Sequence, residues 1–133
     1  MFCAIVAGDT PAHVVYRDDA TLAFLDLRPV FPGHVLLVPR DHYETLTDLP
    51  PALIEPLFTA AQRLAAAVRD GMEAHGTFVA MNNTVSQSVP HLHVHVVPRR
   101  RQDGLRGCFW PRQRYAGDEE MEETAALIRA AVS

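Results

Sequence analysis

The sequence predicts an α+β domain in which a five-stranded antiparallel meander sheet accompanies one long helix and a C-terminal helix. Three observations predict it: short apolar segments separated by Pro, Gly and Asp, one long stretch with helical periodicity, and an acidic-to-basic helical segment near the end. A length of 133 residues suits one core, so we expect a single domain over residues 1–133.

The first three predicted strands lie in the N-terminal third. Val14 to Arg17 and Leu22 to Asp26 are rich in β-branched and aromatic residues, and Asp18-Asp19 forms the turn of a hairpin between them. After a loop marked by Pro and Gly, the third strand runs from His34 to Val38. Pro39 ends it because proline cannot donate a hydrogen bond to a neighbouring strand.

The long helix is predicted from Pro51 to Met72. Its apolar positions recur at spacings of three, four or seven, namely Leu53, Leu57, Leu64 and Val68 with Phe58 and Ala61. Asp48 is the expected cap, and Pro51 suits the first turn. Pro56 either lies near enough to the start to be tolerated or kinks the helix.

The remaining elements follow this helix. Thr77 to Asn83 and Pro90 to Arg99 are strand-like and are joined by a polar loop, which completes five strands. A last helix is expected from Glu119 to Val132, with Asp118 as its cap, acidic residues in the first turn and Arg129 near the end.

Composition excludes some classes of protein. The net charge of −4 argues against a chain that is basic overall, although six arginines lie between Arg99 and Arg114 with only Asp103 to oppose them. That segment is either a solvated charged stretch or an anion-facing patch. Cys3 and Cys108 are too few for a disulfide framework and lack a metal-binding spacing. With no leader and no membrane-spanning run, we expect a cytoplasmic protein.

Three histidines alternate with apolar residues in "PHLHVHVVPR". On a strand, His91, His93 and His95 share one face, and the residues between them face the core. Three readings are open: a solvated surface, a metal site and a phosphate site. The outer two histidines would lie about 13 Å apart, which is too far for one ion and suits an elongated anion better.

Imidazole serves phosphate chemistry in two ways. A neutral ring nitrogen can attack phosphorus, and a protonated neighbour can donate a charge-assisted hydrogen bond to the developing negative charge. Gln87 and Ser88, just before the row, offer further donors, and the arginines after it provide a positive field.

"HLHVHVV" resembles the His-x-His-x-His signature of the histidine triad superfamily, and residues 1 to 98, including "PGHVLLVPRDH", resemble its nucleotide-binding branch. The resemblance implies a domain of five antiparallel strands that pairs into a ten-stranded sheet in a homodimer. Residues 99–133 then form an Arg-rich and aromatic segment followed by the C-terminal helix.

The resemblance also implies residue roles. His93 would attack the α-phosphate of a purine nucleotide, while His95 and His34 would hold phosphate oxygens and His91 would orient the nucleophile. Gln87, Ser88 and Asn82 would contact the phosphate or leaving group, and Asp26 the ribose. Phe2, Ile5, Phe24 and Leu27 would form the base pocket, although plain core packing explains these four nearly as well.

The expected reaction is hydrolysis or transfer at the α-phosphate of a nucleoside phosphoramidate or a dinucleoside polyphosphate, without a cofactor. The alternatives are a nucleotide-binding or adaptor module with negligible turnover, and an enzyme of adenylylated nucleic-acid ends resembling the aprataxin branch. Arg99 to Arg101, with Arg106, Arg112 and Arg114, motivate the last, but we expect no nucleic-acid or membrane partner.

This chain departs from the family pattern in three places. The loop between Asn82 and Gln87 lacks the glycines that are common there. Of an N-terminal Cys-x-x-Cys that contributes to a zinc site in some bacterial relatives, only Cys3 remains, so we expect no metal. The segment that contains Trp110 aligns with nothing in the family, and it could line the site, bridge a dimer or cap the sheet.

Overall fold

A computed structural model describes residues 1–105 and 112–132. Its elements are α1 (Phe2–Ala7), β1 (Val14–Arg17), β2 (Thr21–Leu25), β3 (Val35–Pro39), a 3₁₀ turn (Leu46–Asp48), α2 (Pro51–Gly71), β4 (Gly76–Ala80), β5 (Val94–Arg99) and α3 (Asp118–Ala131). Met1 to Asp103 form one compact unit, which contains everything up to β5, and a second unit from Gly104 onward contains α3.

The five strands form one antiparallel sheet in the order β1-β2-β3-β5-β4. The first three follow one another as a meander. The connection through α2 then delivers β4 to the edge, and β5 returns between β4 and β3. The α+β class and the five-stranded antiparallel sheet are confirmed.

The two faces of the sheet carry two separate apolar clusters, because successive side chains on a strand point to opposite sides. One cluster joins α2 to the sheet and contains Ala23, Val35, Leu37, Leu57, Leu64, Val68, Leu92, Val94 and Val96. The other joins α1 to the sheet and contains Phe2, Leu22, Phe24, Leu36 and Val38. Since His95 lies between Val94 and Val96 on β5, its side chain faces the α1 side.

The histidine strand is shorter than the sequence predicts. β5 begins at Val94 rather than Pro90, so His91 and His93 precede it and only His95 lies on it. The ladder between β3 and β5 begins with Val94 opposite Leu37, and the Leu92 N–H instead donates to the carbonyl of Tyr43 at 2.7 Å. The alternation persists nevertheless, because Leu92 joins the α2 cluster.

Other boundaries differ as well. β3 begins after His34 and includes Pro39 as its last residue, opposite Thr21. β4 ends at Ala80 rather than Asn83. Asp48 does not cap α2, whose N-cap is Pro50; its carboxylate accepts hydrogen bonds from the backbone N–H and the hydroxyl of Thr45 within the 3₁₀ turn. Pro56 lies inside α2, which runs unbroken from residue 51 to 71, so only the hydrogen bond that its nitrogen cannot donate is lost.

Helix α1 was not predicted, because six residues are too few to show a helical period. It ends at Gly8, whose φ of 84° is left-handed and favours glycine. At α3, Gly117 is the cap and Asp118 is the first helical residue, one position from the prediction.

No helix within residues 1–105 and 112–132 combines the length and apolarity needed to cross a bilayer.

Candidate active site

A cavity of about 580 Å³ opens beside α1 on the sheet face away from α2. This volume suits a small organic ligand. Eight of the predicted site residues line it: Phe2, Ile5, Phe24, Asp26, Leu27, Ser88, His93 and His95. The structure therefore brings together much of the predicted site from α1, β2 and the segment around β5.

His93 is held in one tautomer. Its Nδ1 lies 2.8 Å from the carbonyl oxygen of His91, which can only accept, so Nδ1 carries a proton and the lone pair of the neutral ring lies on Nε2. The ring is 3% exposed and packs edge-on against Phe2, with ring centroids 5.2 Å apart. Burial and the hydrogen bond together fix the ring on the cavity wall.

His95 is oriented by His34. The backbone N–H of Val30 donates to His34 Nδ1 at 3.1 Å, so His34 carries its proton on Nε2 and donates to His95 Nδ1 at 2.9 Å. His95 therefore presents Nε2–H as a donor. The sequence predicts that His34 holds a phosphate oxygen, but both of its ring nitrogens are engaged within the protein and its side chain is absent from the cavity wall.

Both rings of this pair stay neutral at neutral pH. Burial, followed by the nearby rings of His93 and His34, lowers the pKa of His95 to about 4. Burial also lowers the pKa of His34, and the carboxylate of Asp26, 3.7 Å from its Nε2, opposes that shift only in part. A neutral His95 is the state that the hydrogen bond from His34 requires.

Asp26 lies where a carboxylate can meet a ligand. One of its oxygens accepts the backbone N–H of Arg28 at 2.9 Å, which fixes the side chain in a short turn after β2. The carboxylate also borders the cavity, as the predicted ribose contact requires.

The loop between β4 and His91 is held by its own side chains. Gln87 accepts the N–H of Thr84 at 2.9 Å and donates to the carbonyl of Glu44 at 2.6 Å, while Asn82 donates to the carbonyl of Ser86 at 3.3 Å. Thr84 and Ser86 have φ of 72° and 60°, values that glycine would adopt without strain. Gln87 and Asn82 thus bind the loop itself, and only Ser88 of the predicted phosphate contacts lines the cavity.

His91 faces away from the cavity toward Cys3 and His42, a convergence that the sequence did not predict. Its Nε2 donates to the carbonyl of Pro39 at 3.1 Å, and its Nδ1 lies 3.2 Å from His42 Nδ1 and 3.5 Å from Cys3 Sγ. Cys3 Sγ lies 3.3 Å from His42 Nδ1. His42 stands in the quoted "PGHVLLVPRDH", but its distance in sequence from both partners hid the convergence. Burial is the main cause that lowers the pKa of His91.

Two side-chain groups in the described residues have the composition of a metal site: Cys3 with His42 and His91, and Asp26 with His34 and His95. The second is accounted for by the hydrogen bonds of His34 and His95. The first fits a tetrahedral zinc ion, for which bonds of about 2.1 Å to nitrogen and 2.3 Å to sulfur imply N···N near ~3.4 Å and S···N near ~3.6 Å. The three observed separations lie within a few tenths of an ångström of those values.

The arginines after β5 are partly engaged within the protein. Arg99 pairs with Asp103 at 2.6 Å, and the guanidinium of Arg100 donates to the carbonyl of Met72. Trp110, Cys108 and Arg106 lie outside the described residues, so the predicted roles of their segment stay predictions.

An antiparallel sheet that presents a buried histidine with a free ring nitrogen to a ligand-sized cavity is the arrangement that the His-x-His-x-His signature predicts. The chain belongs to the histidine triad family: residues 7–102 match the family described as the HIT domain. An uncharacterised HIT-like protein of Mycobacterium tuberculosis is 38% identical over 138 residues, which cover 100% of this chain and 92% of that protein.

Solved structures agree with the fold. The crystal structure of a Streptococcus mutans protein superposes with a TM-score of 0.91 at 31% identity, covering 100% of this chain and 85% of that one. A zinc-bound histidine triad family protein of Mycobacterium smegmatis superposes with a TM-score of 0.75 at 39% identity, covering 98% and 94%.

Two relatives carry the names of hydrolases. Adenylylsulfatase HINT3 of Arabidopsis thaliana is 28% identical over 97% of this chain and 67% of its own length. The asymmetrical bis(5'-nucleosyl)-tetraphosphatase of Schizosaccharomyces pombe is 34% identical over 69% of this chain and 52% of its own length. The family to which this chain belongs therefore includes proteins named as nucleotide hydrolases.

Proposed function

We propose that this protein is a nucleotide hydrolase or nucleotidyl transferase that cleaves at the α-phosphate of a purine nucleoside phosphoramidate or dinucleoside polyphosphate. The observation that carries the proposal is the hydrogen bond from His93 Nδ1 to the carbonyl of His91, 2.8 Å long, beside a cavity of about 580 Å³. Because Nδ1 donates this hydrogen bond, the neutral ring presents the lone pair of Nε2 as the nucleophile.

The first step forms a bond between His93 Nε2 and the α-phosphorus. The bond from phosphorus to the leaving nitrogen or oxygen breaks, and the leaving group departs with its electron pair and takes a proton from solvent. The positive charge that the ring gains is shared with the His91 carbonyl through Nδ1–H. In the second step water attacks phosphorus, the bond to Nε2 breaks, and the nucleoside monophosphate leaves while water's proton passes to solvent.

Five other residues that line the cavity support this chemistry. His95 offers a neutral Nε2–H to a phosphate oxygen, and its ring centroid lies 5.0 Å from that of His93. Ser88 lines the same cavity and can donate to a second oxygen, and Asp26 can accept from ribose hydroxyls. Phe2 and Phe24, in edge-on contact at 5.4 Å, offer an apolar wall to a base.

The names of relatives support the reaction class. An adenylylsulfatase and a bis(5'-nucleosyl)-tetraphosphatase both act, by their names, on nucleotides joined to a second acidic group. We infer that the leaving group here is likewise joined to a nucleoside monophosphate.

The test is His93→Ala against His13→Ala, an exposed histidine outside the cavity. With adenosine phosphoramidate as substrate, we expect His93→Ala to lose AMP release by at least about 10³-fold, as for other lost nucleophiles. Intact-mass spectrometry of quenched wild type should show a covalent nucleotidyl adduct that is absent from His93→Ala. Undiminished AMP release by folded His93→Ala would reject the mechanism.

A second function has an observation of its own. Gln87, which the family resemblance places on the phosphate or leaving group, instead ties Thr84 to Glu44 in this structure. Because Gln87 is bonded to Thr84 and Glu44 instead of a phosphate, the site could bind a nucleotide and cleave it at a negligible rate. Calorimetric binding of AMP, together with no product from a panel of phosphoramidates and dinucleoside polyphosphates, would favour this binding module over the hydrolase.

We also propose a homodimer in which two sheets pair at β4. In the described residues β4 is an edge strand, and Val79 on it is 44% exposed. Phe58 and Ile54 lie on α2, which packs against β4, and they are 45% and 44% exposed, so this helix offers further apolar surface. Light scattering should give twice the chain mass, and Phe58→Arg should shift it toward the monomer; a monomeric wild type at micromolar concentration would overturn the proposal.

A further inference from the structure

A second cavity, of about 310 Å³, lies against the C-terminal half of α1 and the strands next to it. We call it the arginine cavity, because the charged side chains among the described residues that line it are those of Arg17 and Arg40. We propose that it binds the phosphate group of a small anion, and that this anion orders α1 and so raises the affinity of the cavity beside His93 for nucleotide. The affinity part of this proposal rests on the proposed function.

A β-bulge turns Arg17 toward the arginine cavity. Val14 lies opposite Phe24, Arg17 lies opposite Leu22, and the pairing shifts by one residue between Val14 and Tyr16. Residues three apart on a regular strand face opposite sides of a sheet, but the extra residue puts Val14 and Arg17 on the same side. That side carries α1, because Leu22 and Phe24 both belong to the α1 cluster. The bulge therefore aims a cation at the cavity.

Arg40 is fixed by hydrogen bonds that leave its terminal nitrogens available. Its backbone N–H donates to the carbonyl of Ala20 at 2.9 Å, and its Nε donates to the carbonyl of Asp18 at 2.7 Å. These two bonds hold the backbone and one edge of the planar guanidinium. The two terminal nitrogens make no hydrogen bond to the part of the chain that the structure describes, so they can donate to a ligand.

The charges of the arginine cavity favour a doubly charged anion. No carboxylate occurs among the described residues that line it, and neither Arg17 nor Arg40 forms an ion pair with a described residue. A phosphate monoester carries a charge of about −1.5 to −2 at pH 7 and offers three acceptor oxygens, which suit two guanidinium groups better than one carboxylate does. The hydroxyl of Thr10, on the same wall, is a further donor.

An internal role for the two arginines is the competing arrangement. Helix α1 ends at Gly8, and Arg17 and Arg40 could offset the partial negative charge of its last carbonyl groups. Loss of an arginine would then destabilise the protein to the same extent with and without phosphate, and added phosphate would have no saturable effect. The two arrangements therefore differ in their response to phosphate.

Helix α1 connects the two cavities. Ile5, Pro11 and Ala12 line both of them. The helix is six residues long, its N-cap residue makes no side-chain hydrogen bond, and Phe2 is its only buried residue. A helix this short is not stable by itself, so its position depends on tertiary contacts. An anion that orders it before nucleotide binds removes an ordering cost from the binding free energy of the nucleotide.

Phosphate binding is tested by an NMR titration of the full chain with inorganic phosphate, without nucleotide and at constant ionic strength. We expect saturable shifts of the Gly8 and Thr10 amides with a dissociation constant of roughly 1 mM. Arg17→Gln, at an exposed position, and Arg40→Lys should each weaken binding roughly tenfold, because each removes donors to an anion. Arg69→Gln is the control, since Arg69 pairs with Asp70 on α2.

Glycerol 3-phosphate and glycerol distinguish two sources of the phosphate group. Ile5, Val6 and Leu22 give the cavity an apolar wall, which an ester can cover and an inorganic ion cannot. Tighter binding of glycerol 3-phosphate than of inorganic phosphate would assign the cavity to an ester, and equal or weaker binding would assign it to the ion. Glycerol should cause no saturable shift. Shifts confined to Ser88 and His93, or none with either phosphate, would overturn the proposal.

The coupling is tested by repeating the titration on protein saturated with AMP. Because AMP then fills the cavity beside His93, added phosphate binds at the arginine cavity alone. We expect phosphate to bind roughly fivefold more tightly than in the absence of AMP, since coupling between two sites is reciprocal. Without phosphate, Arg17→Gln should bind AMP with the affinity of the wild type.

The outcomes separate the two proposals. If AMP binds but leaves the phosphate affinity unchanged, the coupling is overturned, while the phosphate site and the proposed function stand. If AMP neither binds nor is released from any substrate, the proposed function and the coupling are rejected together. Saturable shifts of Gly8 and Thr10 would still establish the phosphate site in that case.

Discussion

His34 Nε2 lies 2.9 Å from His95 Nδ1, and this single hydrogen bond decides which nitrogen of His95 carries a proton. Because His34 Nδ1 already accepts from the Val30 N–H, the chain of donors runs in one direction from backbone to His95 Nε2–H. His34 is thus a positioning residue for His95.

Substitution of His34 should slow catalysis more than it weakens binding. His34→Ala removes the donor that fixes His95, and we expect kcat to fall roughly 10- to 100-fold with a smaller change in KM. His34→Gln can place an amide N–H near the former Nε2 and should recover part of the loss. Equal effects of the two substitutions on kcat would show that the donor does not matter, and steady-state kinetics across a pH range measures both parameters.

Stability should fall as the solution is acidified. The pKa of His95 is about 4 in the folded chain and about 6.5 when unfolded, and the pKa of His34 is also lowered. Between these values the unfolded chain binds more protons, so the free energy of unfolding rises with pH. Above about pH 6.5 both states are neutral at His95 and this residue does not lower the stability. As the pH falls from about 6.5 toward about 4, the free energy of unfolding decreases.

Urea unfolding at several pH values measures this slope. His95→Asn should reduce the dependence of the free energy of unfolding on pH below about 6.5, whereas His13→Asn should not. If the free energy of unfolding of His95→Asn depended on pH as strongly as that of the wild type, other groups would be responsible for the acid sensitivity.

Gly33→Ala should destabilise the approach to His34. Gly33 has φ of +98°, and a Cβ there would lie 2.6 Å from Cγ of Met72. Left-handed strain costs about 1–3 kcal/mol, to which the displacement of the Met72 side chain adds. Gly76→Ala is the matched control, since nothing lies within 4 Å of its Cβ.

Thermal unfolding compares the two glycine variants. The Met72→Ala background separates the collision from the backbone strain, because it removes the side chain that the new methyl meets. If Gly33→Ala were as stable as wild type in both backgrounds, the left-handed turn before His34 would be unimportant to the fold.

Gln87→Ala should loosen the loop between β4 and His91. The substitution removes the acceptor of the Thr84 N–H and the donor to the Glu44 carbonyl, and these two exposed hydrogen bonds together are worth about 1–2 kcal/mol at most. We expect faster amide exchange at residues 83–87 and a smaller effect on global stability. Gln62→Ala on the exposed side of α2 is the control. Unchanged amide exchange in Gln87→Ala would show that the two hydrogen bonds of Gln87 are not needed to order the loop.

Periodicity predicted the sheet and the long helix well. Alternating apolar residues placed β1 correctly and the other four strands within a few residues, and the spacing of Leu57, Leu64 and Val68 marked α2 because its buried face repeats every turn. The ends of the strands and helices were predicted less well, because they depend on partners that are distant in sequence. β5 begins at Val94 because Leu92 pairs with Tyr43 after β3, a contact that no local pattern contains.

The sequence by itself determined the antiparallel α+β fold, the face that Leu92, Val94 and Val96 turn to the core, and the identity of the histidines. Only the tertiary structure decided what each histidine does: His93 donates to a carbonyl, His95 accepts from His34, and His91 meets Cys3 and His42. The physical reason is that a tautomer, a pKa and a ligand set depend on neighbours within a few ångströms. Here those neighbours are as many as 88 residues away along the chain.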